Sequence, residues 1–179
     1  MRLFLAFDLP DRVREEIYRA FSPYMRMYPR LKWVDPGNYH ITLVFIGEVP
    51  AHYVDSIGEP LKLLGESFEP FTFSLNGWGT FPPGKPDFNV LWVGIDFEKR
   101  LLDFHRRVMQ ITGKYENRPY SPHITVARSG RKKIRFEGNP AIRSLQFRSE
   151  EFVLFKSILK REGPVYVPLR KFKLGRENS

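Results

Sequence analysis

The sequence predicts a bilobal chain in which two copies of one strand–helix unit face each other across a cleft. Three observations carry this. The tripeptide His-Ile-Thr occurs at His40–Ile41–Thr42 and again at His123–Ile124–Thr125, 83 residues later. Each copy sits in the same predicted order of strand, helix, His-Ile-Thr strand, helix, strand. The stretch 79–87, rich in Pro and Gly, separates the copies. With four His in 179 residues, chance places two of them two positions before a Thr with odds of only about 1 in 200, by counting on the composition. The repeat spans 1–79 and 88–174 within a single domain of 1–179.

The elements follow in order. Arg2 to Leu9 is a short apolar run closed by Pro10, and it reads as a central strand. From Asp11, the residues Val13, Ile17, Ala20, Phe21 and Tyr24 recur at helical spacing. Pro23 is expected to kink or end that helix. Leu31 to Val34 is a brief strand, and Asp35 to Asn38 a turn. In His40 to Ile46, alternation puts His40 and Thr42 on one face and Ile41, Leu43 and Phe45 on the other. Val54, Ile57, Leu61 and Leu64 predict a helix despite Gly58 and Pro60. Phe71 to Trp78 and Asn89 to Ile95 are strands, and 98–112 is a helix. Ser121 to Ala127 is the second motif strand, followed by a basic loop from Arg128 to Arg135. Asn139 to Gln146 is expected to be a short helix. Strands at 151–159 and 165–174 are joined by Glu162-Gly163-Pro164, a hairpin signal.

Composition narrows the function. Hydrophobic residues at 42% and aromatics at 15% suffice for a packed interior. The net charge of +9 and pI near 9.9 favour a polyanionic partner, nucleic acid first and an acidic membrane surface second. The plain alternative is a solvated basic surface. There is no Cys, which excludes disulfides, thiolate nucleophiles and Cys-ligated zinc. The apolar run at the N-terminus is interrupted at Asp8, too early for a signal-peptide core. No apolar run approaches the ~18 residues of a membrane span. A cytoplasmic location with no membrane partner is expected.

Two imidazoles facing one site suit a reaction that removes a proton at one atom and delivers one at another, because histidine exists in both forms near neutrality. Hydroxyls of Thr42 and Thr125 can donate to anionic oxygens. Arg128 and the loop behind it add positive charge where negative charge builds up. This set describes in-line displacement at a phosphodiester. No metal or other cofactor is expected, and no two His stand at the spacing of a common local zinc site. Trp33, Tyr39, Phe81 and Tyr120 flank the expected cleft and are candidates for stacking on bases, with Arg131 and Lys132 as phosphate contacts. Each alone is more often packing or a solvated loop. His52, at a helix start, and His105, on an apolar helical face, have no matching Thr. They are read as solvated and core-edge respectively.

With both motifs in view, the chain resembles the 2H phosphoesterase superfamily, whose signature is one His-x-Thr-x tetrapeptide per lobe. Within it the chain is similar to the bacterial and archaeal 2′-5′ RNA ligase group, also called RNA 2′,3′-cyclic phosphodiesterase. The signature stands as His40 to Leu43 and His123 to Val126. Arg2 to Leu9, Gly77 to Pro82, Leu91 to Gly94, Ser121 to Arg128 and Ser157 to Lys160 followed by Gly163 also agree. The segment Val165 to Val167 departs from the pattern and is not expected to touch chemistry. The resemblance implies an α+β bilobal fold with two antiparallel sheets flanking a central cleft and helices outside. It implies hydrolysis of an RNA 2′,3′-cyclic phosphate end to a 2′-phosphate; tRNA fragments are a candidate substrate, and a monomer is expected. It implies His40 as proton donor, His123 as proton acceptor, and Thr42 and Thr125 as phosphate ligands. A 2′-5′ RNA ligase joining tRNA-half-like fragments is the alternative. A non-catalytic RNA or nucleotide binding module is the second, and it has no need for a matched proton-transfer pair.

Overall fold

The computed structural model describes residues 1–85, 87–131 and 133–176. Two antiparallel sheets share one core. The first has the order β3-β1-β8-β9, from β1 (Arg2–Asp8), β3 (His40–Glu48), β8 (Glu151–Lys160) and β9 (Gly163–Lys173). The second has the order β2-β6-β5-β4-β7, from β2 (Lys32–Trp33), β4 (Phe71–Phe81), β5 (Val90–Phe97), β6 (His123–Arg128) and β7 (Gln146–Ser149). Leu3, Leu5 and Phe7 of the first sheet and Phe73, Leu75 and Val93 of the second belong to one buried cluster. Phe7 and Phe73 meet across it with ring centres 5.2 Å apart.

The sheets do not coincide with the sequence halves. The stretch 79–85 runs from the end of β4 into the connection to β5, whose hairpin with β4 lies inside one sheet. Strand β4 comes from the first half and joins the second motif's sheet; β8 and β9 come from the second half and join the first motif's sheet. Each sheet therefore needs both halves of the chain.

Among the described residues three α-helices cover the sheets. In α1 (Asp11–Met27), Val13, Ile17, Ala20 and Phe21 form the buried stripe. The helix runs through Pro23 and does not end there. Pro23 cannot bond the Arg19 carbonyl, but the Ser22 hydroxyl reaches that oxygen at 3.4 Å. Helix α2 (Tyr53–Glu66) buries Ile57, Leu61 and Leu64 and packs against β9. Its Gly58 makes room for Arg170, since a Cβ there would lie 1.9 Å from the guanidinium, which pairs with Asp55 at 2.8 Å. Helix α3 (Arg100–Thr112) ends at Gly113 in the left-handed conformation. Among the described residues no helix is long and apolar enough to cross a membrane.

The helix expected at 139–146 does not form. The segment runs as an irregular strap along α1 into β7. Its backbone groups are satisfied from outside: Arg143 N–H donates to Glu16 (2.8 Å), Arg19 donates to the Ala141 carbonyl (2.9 Å), and Asn139 N–H donates to the Tyr24 hydroxyl (3.2 Å). Outside partners of this kind remove the need for helical bonds.

Candidate active site

The two motif strands lie alongside one another, each in a different sheet. Strand β3 pairs with β1 as Asp8 with His40 and Ala6 with Thr42, then skips Leu43 and resumes as Leu5 with Val44 and Phe4 with Phe45. Strand β6 pairs with β5 as Gly94 with His123 and Trp92 with Thr125, then skips Val126 and resumes as Leu91 with Ala127 and Val90 with Arg128. Both strands thus bulge at the fourth motif residue. Directly paired residues share a face, and a bulge shifts the alternation by one. Arg128, five places after His123, would alternate onto the opposite face. The bulge returns it to the face of His123 and Thr125. The same shift corrects the expectation for Phe45, which lies on the His40 face and is 57% exposed.

Each histidine is held the same way. His40 Nδ1 lies 2.7 Å from the Asn38 carbonyl, and His123 Nδ1 lies 2.8 Å from the Ser121 carbonyl. A carbonyl only accepts, so Nδ1 carries the hydrogen in both rings and Nε2 is left for proton transfer. His40 Nε2 is 3.0 Å from the Thr42 hydroxyl. Arg14 fixes the segment before His40, donating to the carbonyls of Leu9 (3.1 Å), Pro36 (2.7 Å) and Tyr39 (3.0 Å) and pairing with Asp8.

Burial holds both histidines below their ordinary pKa by penalising the charged form. The neighbours then differ. For His40, the Asn38 carbonyl and the Asp8 charge push back upward, while Arg14 and His123 push down. For His123, the Ser121 carbonyl pushes upward and the Arg128 charge pushes down. Arg128 also acts on Tyr166, whose hydroxyl is raised chiefly by burial. Its guanidinium therefore lies within electrostatic reach of one histidine and of the opposite sheet.

Aromatic rings frame the pair. Phe4 and Tyr166 pack on His40 with centres at 5.0 and 5.4 Å, and Phe81 meets His123 edge-on at 5.2 Å. Tyr166 lies in the segment that was expected to be remote from chemistry, so that expectation is corrected. The hairpin β8–β9 carries it beside His40, where both line a cavity of about 220 Å³. Nothing local in the sequence signals this. Nor does anything local in the sequence mark Asp8 or Arg14 as part of the site.

Of the stacking candidates, only Phe81 reaches the cleft face. Tyr39 is 1% exposed and part of the core, because alternation turns it away from its neighbour His40. Trp33 pairs with Ala127 on the core face of its sheet, and its indole donates to the Tyr28 carbonyl at 2.9 Å. Tyr120 stacks on His105 at 3.9 Å and donates its hydroxyl to the Thr42 carbonyl at 2.8 Å, so it braces the first motif strand from beneath. Arg131 is exposed on the loop after β6. Lys132 lies outside the described residues. His52 is exposed and His105 buried, as the sequence suggested. Among the described residues no group of three or more His, Asp or Glu is placed to hold a metal ion.

The sequence and the fold are similar to those of known proteins. The sequence profile of the 2′-5′ RNA ligase superfamily matches residues 9–157. A protein of Archaeoglobus fulgidus named RNA 2′,3′-cyclic phosphodiesterase is 33% identical, over 97% of this chain and 100% of its own length. The crystal structure of TT0787 of Thermus thermophilus superposes with a TM-score of 0.84 at 29% identity, covering 99% of this chain and 100% of that one. Escherichia coli LigT complexed with 3′-AMP superposes at 0.77 with 27% identity and 98% of each chain covered. A profile match over most of the chain, with full-length relatives of the same fold, assigns it: the chain belongs to the 2′-5′ RNA ligase superfamily, the 2H phosphoesterases.

Proposed function

We propose that this enzyme hydrolyses 2′,3′-cyclic phosphate ends of RNA to 2′-phosphomonoesters, with His40 as proton donor and His123 as proton acceptor. The observation that carries the reading is the matched pair of imidazoles, each with Nδ1–H spent on a carbonyl and Nε2 left for proton transfer. Full-length relatives bearing the phosphodiesterase name support it.

A water oxygen attacks phosphorus in line with the bond to O3′. His123 Nε2 takes the water proton as the new P–O bond forms. The P–O3′ bond breaks, and His40 Nε2–H protonates O3′, leaving a free 3′-hydroxyl and a phosphate on O2′. Thr42 and Thr125 hydroxyls donate to the non-bridging oxygens. Arg128 neutralises the charge that grows there, where a donor is worth most in a site sheltered from water. His40 ends neutral and His123 protonated, and exchange with solvent resets the pair.

The enzyme acts as a cytoplasmic monomer on RNA ends, tRNA fragments among them, since one chain supplies both histidines. Sedimentation at assay concentration tests the monomer. The function itself is tested with an oligonucleotide ending in a 2′,3′-cyclic phosphate, in EDTA, with the product identified. A 2′-phosphate is expected. Loss of turnover in EDTA that Mn²⁺ or Zn²⁺ restores would overturn the two-histidine scheme. Ligation would put a 5′-hydroxyl where water attacks, so supplying such an RNA and seeking a 2′-5′ junction separates the two activities.

A further inference from the structure

A second cavity, of about 670 Å³, opens beside the second motif and is untouched by the mechanism above. Trp78, Gly79, Lys85, Trp92, Arg135 and Phe136 line it. Its volume falls in the roughly 300–1,000 Å³ range of small-ligand sites, while the cavity beside His40 falls short of it. Thr125, Trp92 and Gly79 are successive cross-strand neighbours on β6, β5 and β4. The cavity therefore begins at Trp92, one interstrand spacing or about 5 Å from Thr125, and reaches Gly79 about 10 Å away on the same face. Gly79 lets the Trp92 ring lie across β4, since a Cβ there would meet the indole at 2.4 Å. Phe81 is 5.2 Å from Trp92 and 5.2 Å from His123, so rings run without a break from the imidazole to the cavity. The charged groups at its rim are Lys85, Arg135 and Glu137, and Glu137 is engaged by Arg135 at 2.9 Å. That leaves a positive balance, in keeping with the +9 of the whole chain.

We infer that this cavity holds the nucleotide preceding the cyclic-phosphate end, its base stacked on Trp92 and its phosphate near Lys85 and Arg135. A ring platform with cations on the rim holds single-stranded nucleic acid with little preference among bases, because every base has a π face. The occupant is single-stranded RNA, continuous with the substrate end one nucleotide away. The inference rests on the proposed phosphodiesterase reading, but the two fail separately. Hydrolysis of a cyclic mononucleotide by the unmodified enzyme tests that reading alone.

The test compares kcat/KM for 2′,3′-cyclic AMP with that for a dinucleotide ending in the same cyclic phosphate. The enzyme should prefer the dinucleotide. Trp92→Ala should reduce the preference about tenfold, the worth of one base stack, and Trp92→Phe should restore most of it. A dinucleotide with an abasic first residue makes the same test without altering the protein, and it too should lose about tenfold. Equal efficiency of the two substrates with the unmodified enzyme would overturn the inference. So would a preference that survives both Trp92→Ala and the abasic substitution. Should Trp92→Ala fail to fold, the abasic substrate decides alone.

Discussion

Strands β3 and β6 share three motif residues, an Nδ1 anchor two residues upstream and a bulge at the fourth position. They differ at the fifth residue after the histidine, which is Phe45 in one and Arg128 in the other. The charged neighbours differ in step. A carboxylate, Asp8, is the cross-strand partner of His40 and raises its affinity for a proton. A guanidinium lowers that affinity for His123. Matched backbone geometry thus presents two equivalent imidazoles with unmatched charges beside them: Asp8 raises and Arg14 and His123 lower the proton affinity of His40, while Arg128 lowers that of His123. The difference teaches that a duplicated site can share its strand geometry and still not share its flanking charges.

The largest expected effect comes from deleting either ring. His40→Ala or His123→Ala should each lower kcat/KM on a cyclic phosphate by about 10²–10⁴. The double variant should be little worse than the worse single one, because the pair acts as a unit. A nitrophenyl phosphodiester bound in the same orientation then separates them. Its leaving group needs no acid, so His40→Ala should recover much of its rate and His123→Ala should not. Recovery in His123→Ala instead would reverse the assignment.

Next is the asymmetric position. Arg128→Phe, which makes the second motif resemble the first, should cost about 2–4 kcal/mol of transition-state stabilisation, the scale of a lost oxyanion donor. A drop of only a few-fold in kcat/KM would remove Arg128 from the phosphate.

The pH profile sharpens the comparison further. In the proposed scheme the rate needs neutral His123 and protonated His40, so kcat/KM should be bell-shaped, with limbs belonging to the coupled pair. Both groups are held below the ordinary value near 6.5, so the optimum in the free enzyme should lie on the acid side of neutrality. Arg128→Ala removes a charge that lowers His123, and the acid limb should move to higher pH. Asp8→Asn removes a charge that raises His40, and the alkaline limb should move to lower pH. Each variant narrows the bell from a different side, and shifts of the opposite sign would break the account.

A smaller effect concerns stability. His40, His105 and His123 are all depressed by burial, so the unfolded chain binds more protons than the folded one as pH falls below about 6.5. Their contribution is complete above that value and is lost as pH falls through the depressed folded pKa values. Urea midpoints should decline between neutral and mildly acid pH, and a flat midpoint would contradict it. The smallest effect is expected at Tyr166. It meets His40 through its ring, so Tyr166→Phe should change kcat by less than about threefold while Tyr166→Ala costs more. A large loss in Tyr166→Phe would place the hydroxyl on the substrate.

The sequence by itself determined the chemistry-bearing strands. Period-two alternation is a property of the local backbone, so His40 with Thr42 and His123 with Thr125 share faces whatever the partners. The same rule carried far enough turns Tyr39 into the core. The apolar spacing of α1, α2 and α3 was equally local. Tertiary structure decided what lies beyond the fourth motif residue. A bulge is a mismatch between two paired strands, and neither strand alone specifies it. That is why Arg128 reaches the cleft and Phe45 leaves the core face. Pairing between distant segments also placed β4 with the second motif and brought β9, with Tyr166, to the first. Likewise 139–146 has the composition of a short helix, but hydrogen-bond partners on α1, more than a hundred residues earlier in the chain, hold it open.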